Sequence, residues 1–136
     1  MPFAVERRYV EETEAKLRVR FPAAFVARML RMNGGTVSVA GESWQLFPFW
    51  DRSDRKRVAR TSNDIARETM NAREMSWFPP GGVAIASNGA GDHLLFLPAA
   101  DDPGTLAPAV YFWDMHGDGQ PVAVLDHPFE LWEPDE

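Results

Sequence analysis

A run of turn-forming residues, Phe78-Pro79-Pro80-Gly81-Gly82, separates two halves of the chain that differ in their hydrophobic pattern. Before it, most apolar residues recur at the spacing of amphipathic helices. After it, short apolar segments are separated by clusters of Gly, Pro, Asn and Asp, which is typical of strands joined by turns. Helices first and strands afterwards predict a single α+β domain, in which N-terminal helices pack on a twisted, mainly antiparallel sheet.

The first half contains three predicted helices and one strand pair. Val5 to Arg18 forms the first helix, the second begins at Pro22, and the third follows the possible caps at 61–64 and reaches Met75. The sequence Asn33-Gly34-Gly35 supplies the left-handed backbone that ends the second helix. The predicted hairpin strands are Thr36–Ala40 and Trp44–Phe49, and 51–60 is a polar loop or a helix start.

Four strands and a short closing helix are expected in the second half. The strands are Val83–Ala86, His93–Leu97, Ala109–Trp113 and Pro121–Leu125, and the closing helix is Asp126–Trp132.

Length and composition favour one domain over residues 1–136, with 45% hydrophobic residues to form its core. The sequence has no cysteine, which excludes disulfides, thiolate zinc sites and a cysteine nucleophile. The residues after Met1 do not resemble a signal peptide, and no apolar run is long enough to span a bilayer. We therefore expect a cytoplasmic protein with no membrane, metal or cofactor partner.

Charge is distributed unevenly along the chain. All 14 Lys and Arg residues lie between Arg7 and Arg73, whereas half of the 20 acidic residues lie from Asp92 onward. This pattern predicts an acidic face that repels nucleic acid and attracts a basic protein.

The glycine-rich stretch 86–97 resembles a phosphate loop only superficially. It lacks the third glycine of a dinucleotide motif and the lysine of a Walker loop, and an apolar, strand-like segment follows it instead of a helix. Asn88-Gly89 between two apolar runs predicts a hairpin turn, with Asp92 bonding backbone amides in that turn.

The remaining candidates for catalysis or metal binding have simpler interpretations. His93 lies across the turn from Ser87, but no nucleophile-elbow sequence marks a catalytic serine. The segment 114–119 resembles half of a calcium loop, yet its twelfth position is Leu125 instead of an acid. Asp118-Gly119 is better explained as a hairpin turn.

Two further groups of residues are interpreted structurally. The basic run 52–60 is interrupted by Asp54 and lacks interleaved aromatic residues, so it reads as a solvated helix flank. Most of the tryptophans are expected in the core or at its margin, with one or two lining a surface groove; they are Trp44, Trp50, Trp77, Trp113 and Trp132.

Several short motifs occur in an order that resembles the SUKH superfamily, which includes a fungal cell-wall-synthesis regulator and many bacterial immunity proteins. They are Phe21-Pro22 before helix two, Asn33-Gly34-Gly35, Phe78-Pro79 and Gly89-Ala90-Gly91-Asp92. The family's usual Leu-Pro is Phe-Pro here. The resemblance implies an α+β fold and structural roles for Pro22, Asn33, Gly34, Gly35, Gly89, Gly91 and Asp92, without an active site.

The resemblance also implies a non-catalytic immunity protein that binds and neutralises a polymorphic toxin, often a nuclease. Combined with the charge pattern, it suggests an acidic toxin-binding face formed by Asp101, Asp102, Trp113, Asp114 and Asp118. A scaffold module in cell-wall or signalling regulation and an enzyme with an unmarked site remain open alternatives. The sequence leaves the oligomeric state undetermined.

Overall fold

The computed structural model describes residues 2–39, 41–114, 120–125 and 133–134. The helices in this part are α1 (Arg7–Leu17), α2 (Ala23–Arg31), α3 (Arg55–Arg60) and α4 (Ile65–Ala72). The strands are β1 (Gly35–Val39), β2 (Glu42–Leu46), β3 (Val83–Ser87), β4 (Asp92–Phe96), β5 (Pro98–Ala99), β6 (Asp102–Leu106), β7 (Val110–Asp114), β8 (Val122–Leu125) and β9 (Glu133–Pro134). The predicted α+β class is confirmed. Among the described residues, no helix has the length and apolar character needed to cross a membrane.

The main sheet has the strand order β8-β7-β4-β3-β2-β1-β9, and each neighbouring pair is antiparallel. A separate pair, β5 and β6, projects from the connection between β4 and β7. Arg20, between α1 and α2, bridges to Thr105 of this pair. The small hairpin is thereby attached to the helical part of the molecule.

The middle of the sheet is covered on both faces. Val83, Ala84, Ile85 and Ala86 of β3 are all fully buried, although successive strand residues point to opposite faces. In contrast, β1 and β2 alternate between buried and exposed residues. One continuous core therefore joins the sheet to the helices.

An aromatic cluster anchors α2 to the sheet. Phe25 contacts Phe49 and Phe96 edge to face, with ring centroids 6.0 and 5.1 Å apart, and Phe21 stacks beside it at 5.6 Å. Aromatic pairs at these separations add to the stabilisation from burial. The predicted apolar stripe of helix two thus faces the core.

The predicted elements differ from the structure mainly at their ends. Helix α1 begins two residues later than expected, because the backbone of Glu6 is extended, with φ −76° and ψ 145°; the preceding Val5 N–H donates to the Leu30 carbonyl at the end of α2. Strand β2 ends at Leu46, since Pro48 has no N–H to continue the ladder. The uncertain 51–60 segment contains the helix α3.

The predicted strands of the second half are present with small shifts, but β5, β6 and β9 were not expected. Strand β6 contains Pro103 and Gly104, two residue types that are depleted from strands, so its sequence reads as a loop. The predicted closing helix Asp126–Trp132 lies outside the described residues.

Candidate functional site

The glycine-rich stretch is a turn between β3 and β4, as predicted. Gly89 and Gly91 have φ values of 83° and 96°, which favour glycine. The role predicted for Asp92 needs correction. Its carboxylate accepts a hydrogen bond from the Asn88 side-chain amide at 2.8 Å, whereas the Ala90 N–H donates to the Asn88 side chain.

Three acidic residues lie at this end of the sheet, and we call them the acidic sheet end: Glu42, Asp92 and Asp114. Asp92 and Asp114 are direct partners in the β4–β7 register, and Asn88 Nδ2 donates to Glu42 Oε1 at 3.0 Å as well as to Asp92 Oδ2 at 2.8 Å. Glu42 was missed because it precedes the acidic half of the sequence.

Among the five residues predicted to form an acidic face, Asp101 and Asp102 lie apart from Asp114 in the described part of the chain. Asp101 and Asp102 belong to the β5–β6 hairpin, which follows the opposite end of β4 from the Asp92–Asp114 pair. At about 3.3 Å per strand residue, β4 alone separates the two groups by more than 10 Å. Asp102 also bonds its own hairpin through Gly104 N–H and the Thr105 hydroxyl. Asp118 lies outside the described residues.

Trp113 must be removed from the proposed face. Its side chain is 0% exposed and packs edge to face on Phe78, with ring centroids 5.0 Å apart. Because β7 is an interior strand of the sheet and the side chain is fully buried, Trp113 belongs to the core.

His93 and Ser87 are cross-strand partners, so Ser87 is a candidate nucleophile with His93 as its candidate base. The Ser87 hydroxyl, however, accepts a hydrogen bond from the Gly89 N–H at 3.1 Å. Burial against Phe47 and Trp113 lowers the pKa of His93, an effect opposed by Asp92 and by a backbone hydrogen bond with Gly91. Among the described atoms, His93 Nδ1 has no hydrogen-bond partner. The pair therefore lacks the hydrogen-bonded geometry of a nucleophile and its base.

Metal-binding chemistry finds no support in the described ranges. No group of three or more His, Asp or Glu side chains there is arranged to hold an ion. The segment 115–119, which resembles part of a calcium loop, is outside those ranges.

A larger feature is an open groove of about 540 Å³ between α1, α3 and α4, which we call the helix groove. Its apolar lining comes from Leu17, Trp50, Val58, Ala66 and Met70. Leu17 and Ala66 are buried, but 60% of Met70 and 36% of Val58 remain exposed. Large apolar side chains that are exposed side by side are typical of binding surfaces.

The position of Met70 follows from the periodicity of α4. Ile65, Ala66, Thr69 and Ala72 form the buried stripe of this helix, and Met70 lies outside that stripe. Asp64 begins the helix by accepting the Arg67 N–H at 3.0 Å. Packing within the domain thus leaves the Met70 side chain in the groove.

Helix α3 has the sequence Arg-Lys-Arg-Val-Ala-Arg and buries none of its side chains. Asp54 caps it by accepting the Arg57 N–H at 2.8 Å. The prediction that this segment is a solvated basic flank therefore agrees with the exposure of its cationic side chains. It did not include the position of Val58, which faces the helix groove. The sequence signal for this was a single valine among four cations.

Cations surround the apolar lining. Lys16 Nζ lies 4.7 Å from the centre of the Trp50 ring, and the Arg52 guanidinium lies 5.8 Å from it. Arg52 also pairs with Glu12 at 2.6 Å, and this hydrogen bond lowers the pKa of the Glu12 carboxyl. Arg67 completes the lining on the α4 side. The helix groove is thus apolar at its base and positive at its rim.

A second cleft, of about 310 Å³, lies on another face of α3. Arg57 and Arg60 stack over the Phe3 ring there, at 4.5 and 5.1 Å from its centre. Both faces of this helix therefore present positive charge beside apolar groups.

Comparison with known proteins identifies the chain at the level of its family. No curated protein and no solved structure matches it. The model of the SMI1 / KNR4 family (SUKH-1) matches residues 5–132, nearly the whole sequence. This agrees with the resemblance carried by the Asn33-Gly34-Gly35 and glycine-turn motifs, and the chain belongs to the SMI1 / KNR4 family (SUKH-1).

Proposed function

We propose that this protein is a non-catalytic immunity protein that binds and neutralises a polymorphic toxin. The observation that carries the proposal is family membership over residues 5–132, because the superfamily includes many such immunity proteins. The proposal is also supported by the exposed apolar helix groove and by the two carboxylates that lie opposite each other at the acidic sheet end.

A basic toxin, such as a nuclease, is the target class that the acidic sheet end favours. Asp92 and Asp114 lie directly opposite each other, and Asn88 donates hydrogen bonds to both Glu42 and Asp92. Nucleases are positive where they meet phosphates, so an acidic inhibitor would be steered toward that site. We therefore assign the proposed acidic surface to this end of the sheet, with Asp118 as a further candidate from the sequence.

The decisive experiment is co-expression with the toxin encoded beside this protein's gene, followed by co-purification over a range of salt concentrations. We expect the protein to rescue growth and to retain the toxin, with affinity falling as salt rises. A protein that neither rescues growth nor binds the toxin would contradict the immunity function and favour the scaffold alternative.

The acidic surface has its own test in the same system. Charge reversal by Asp114→Lys with Asp118→Lys should weaken toxin binding by about tenfold or more and flatten its salt dependence. The matched control is Asp101→Lys with Asp102→Lys, which changes the same charge on the separate β5–β6 hairpin. Unchanged affinity and salt dependence in the first variant would remove the acidic sheet end from the interface.

A further inference from the structure

We propose that the helix groove is a docking site for an acidic amphipathic segment of the partner protein. The inference rests on the proposed function and specifies a second contact, separate from the acidic sheet end. Apolar side chains of the segment pack on Trp50, Val58 and Met70, and its carboxylates face Lys16 and Arg67.

The apolar part of the argument comes from what the domain leaves uncovered. Val58 and Met70 are on different helices, yet both contribute to one groove whose base is completed by buried Leu17 and Ala66. Neither α3 nor α4 needs these two side chains for its own packing, because α3 buries nothing and α4 uses another stripe. Such a groove suits the apolar face of a helix or extended segment.

The positive rim selects the charge of the occupant. Lys16 and Arg67 line the groove, and α3, which contributes Val58 to it, is a basic helix, whereas the Asp64 carboxylate in the lining is buried and used as a helix cap. Glu12 is already engaged by Arg52. An acidic segment therefore gains attraction along the rim, and a basic one is repelled.

A peptide fits the groove better than a nucleic acid does. Single-stranded nucleic acids need aromatic faces on which successive bases stack. Trp50 is the groove's only aromatic residue among those described, so successive bases would find a single stacking face there. The rest of the lining is aliphatic and matches leucine, isoleucine or valine side chains.

The rim is also held in place before any partner binds. Lys16 Nζ lies 4.7 Å from the centre of the Trp50 ring, and Arg67 Nη1 donates to the Ser62 carbonyl at 3.3 Å. Charged groups that are already positioned lose less conformational freedom on binding.

The test uses a defined helical peptide of about 15 residues with leucines at i, i+3, i+4 and i+7 and glutamates on its flanks. Binding is followed through the Met70 methyl resonance of the full chain, assigned with Met70→Leu. We expect the glutamate peptide to shift this resonance and to bind at least about tenfold more tightly than versions with lysine for glutamate or serine for leucine.

Matched variants locate the contact. Val58→Asp and Met70→Glu change exposed side chains and should each weaken peptide binding by about tenfold or more without altering the fold. Trp77→Ala, which removes another exposed apolar side chain outside the groove, should leave binding unchanged. Circular dichroism and thermal unfolding confirm that each variant is folded.

Several outcomes would overturn the inference. An unperturbed Met70 resonance would show that the peptide does not enter the groove, and equal binding of the lysine peptide would show that the rim does not select acidic segments. Preferential binding of an oligothymidine probe would point to a nucleic acid as the ligand. A shift of the resonance that depends on protein concentration alone would indicate that a second copy of the chain occupies the groove. Toxin neutralisation separates this inference from the proposed function. If wild type and Val58→Asp protect equally, the groove is not the docking site and the immunity function stands; if wild type gives no protection, the function itself fails.

Discussion

The Asn33 side chain forms two hydrogen bonds with the backbone of Phe49, sixteen residues away. Its Nδ2 donates to the Phe49 carbonyl at 2.9 Å, and its Oδ1 accepts the Phe49 N–H at 2.8 Å. Asn33 is buried, so this pair connects the end of α2 to the segment after β2 without help from solvent. The motif Asn33-Gly34-Gly35 therefore does more than end a helix.

Replacing Asn33 with alanine should lower the free energy of unfolding by about 2–4 kcal/mol. Two buried backbone groups of Phe49 would lose their partners, and each loss costs about 1–3 kcal/mol. Urea denaturation measures the change. Asn63→Ala removes the same side chain from an exposed position and should cost less than about 0.5 kcal/mol. Equal losses in the two variants would show that the Asn33–Phe49 link adds little.

The two capping aspartates should differ in their importance for stability. Asp64→Ala should lower the free energy of unfolding by about 1 kcal/mol, since it removes the N-cap of α4, which packs on β3. Asp54→Ala removes the equivalent bond from α3, which buries no side chain, so its main effect should be local fraying. Urea denaturation measures the change in the free energy of global unfolding, and amide hydrogen exchange in α3 and α4 measures local fraying. A larger global loss for Asp54→Ala would contradict this assignment.

Thr69 links α4 to the sheet through its hydroxyl, which accepts the Ala84 N–H at 2.9 Å in a fully buried position. Thr69→Val preserves the side-chain shape but leaves that N–H unpaired, at an expected cost of about 1–3 kcal/mol. Thr69→Ser keeps the hydroxyl and should retain more stability than the valine variant. The opposite order in thermal or urea unfolding would show that packing of the methyl group dominates.

His93 should make stability depend on pH. Burial lowers its pKa in the folded protein below the ordinary value of 6.5, so the unfolded chain binds the proton more readily. Well above pH 6.5 the imidazole is neutral in both the folded and the unfolded protein, so His93 does not change the free energy of unfolding. As the pH falls through 6.5 toward the lower pKa of the folded state, the unfolded chain takes up the proton first and the free energy of unfolding decreases. Between about pH 7.5 and about pH 5, wild type should therefore lose more stability than His93→Phe. If the free energy of unfolding changes with pH to the same extent in the two proteins, the lowered pKa of the half-buried His93 would be contradicted.

Local signals in the sequence predicted much of the fold. Pro22 and Asn33-Gly34-Gly35 bracket α2, and Asn88-Gly89 marks the β3–β4 turn, because these residue types impose backbone geometry wherever they occur. The β5–β6 hairpin was missed since its strands contain Pro and Gly and are held partly by Arg20, far away in sequence. Non-local contacts of this kind leave no periodic pattern.

The candidate sites depended even more on tertiary packing. Trp113 and Trp50 have similar sequence surroundings, but Trp113 is on an interior strand and Trp50 lines the helix groove. Val58 and Met70 belong to one surface only because α3 and α4 meet beside α1. Likewise, Asp92 lies opposite Asp114 only because β4 and β7 are neighbours in the sheet. In the sequence these two strands are separated by the β5–β6 hairpin.

The short pairing of β9 with β1 has a consequence for how the sheet ends. Glu133 and Pro134 lie beside Ser38 and Val37, on the side of β1 away from β2. Without this cover, β1 would be a free edge strand with alternating valines, a template that extended segments of other molecules can join by backbone hydrogen bonding. Because β9 occupies this side of β1 beside Val37 and Ser38, an extended segment of another molecule would have to displace β9 before it could pair there.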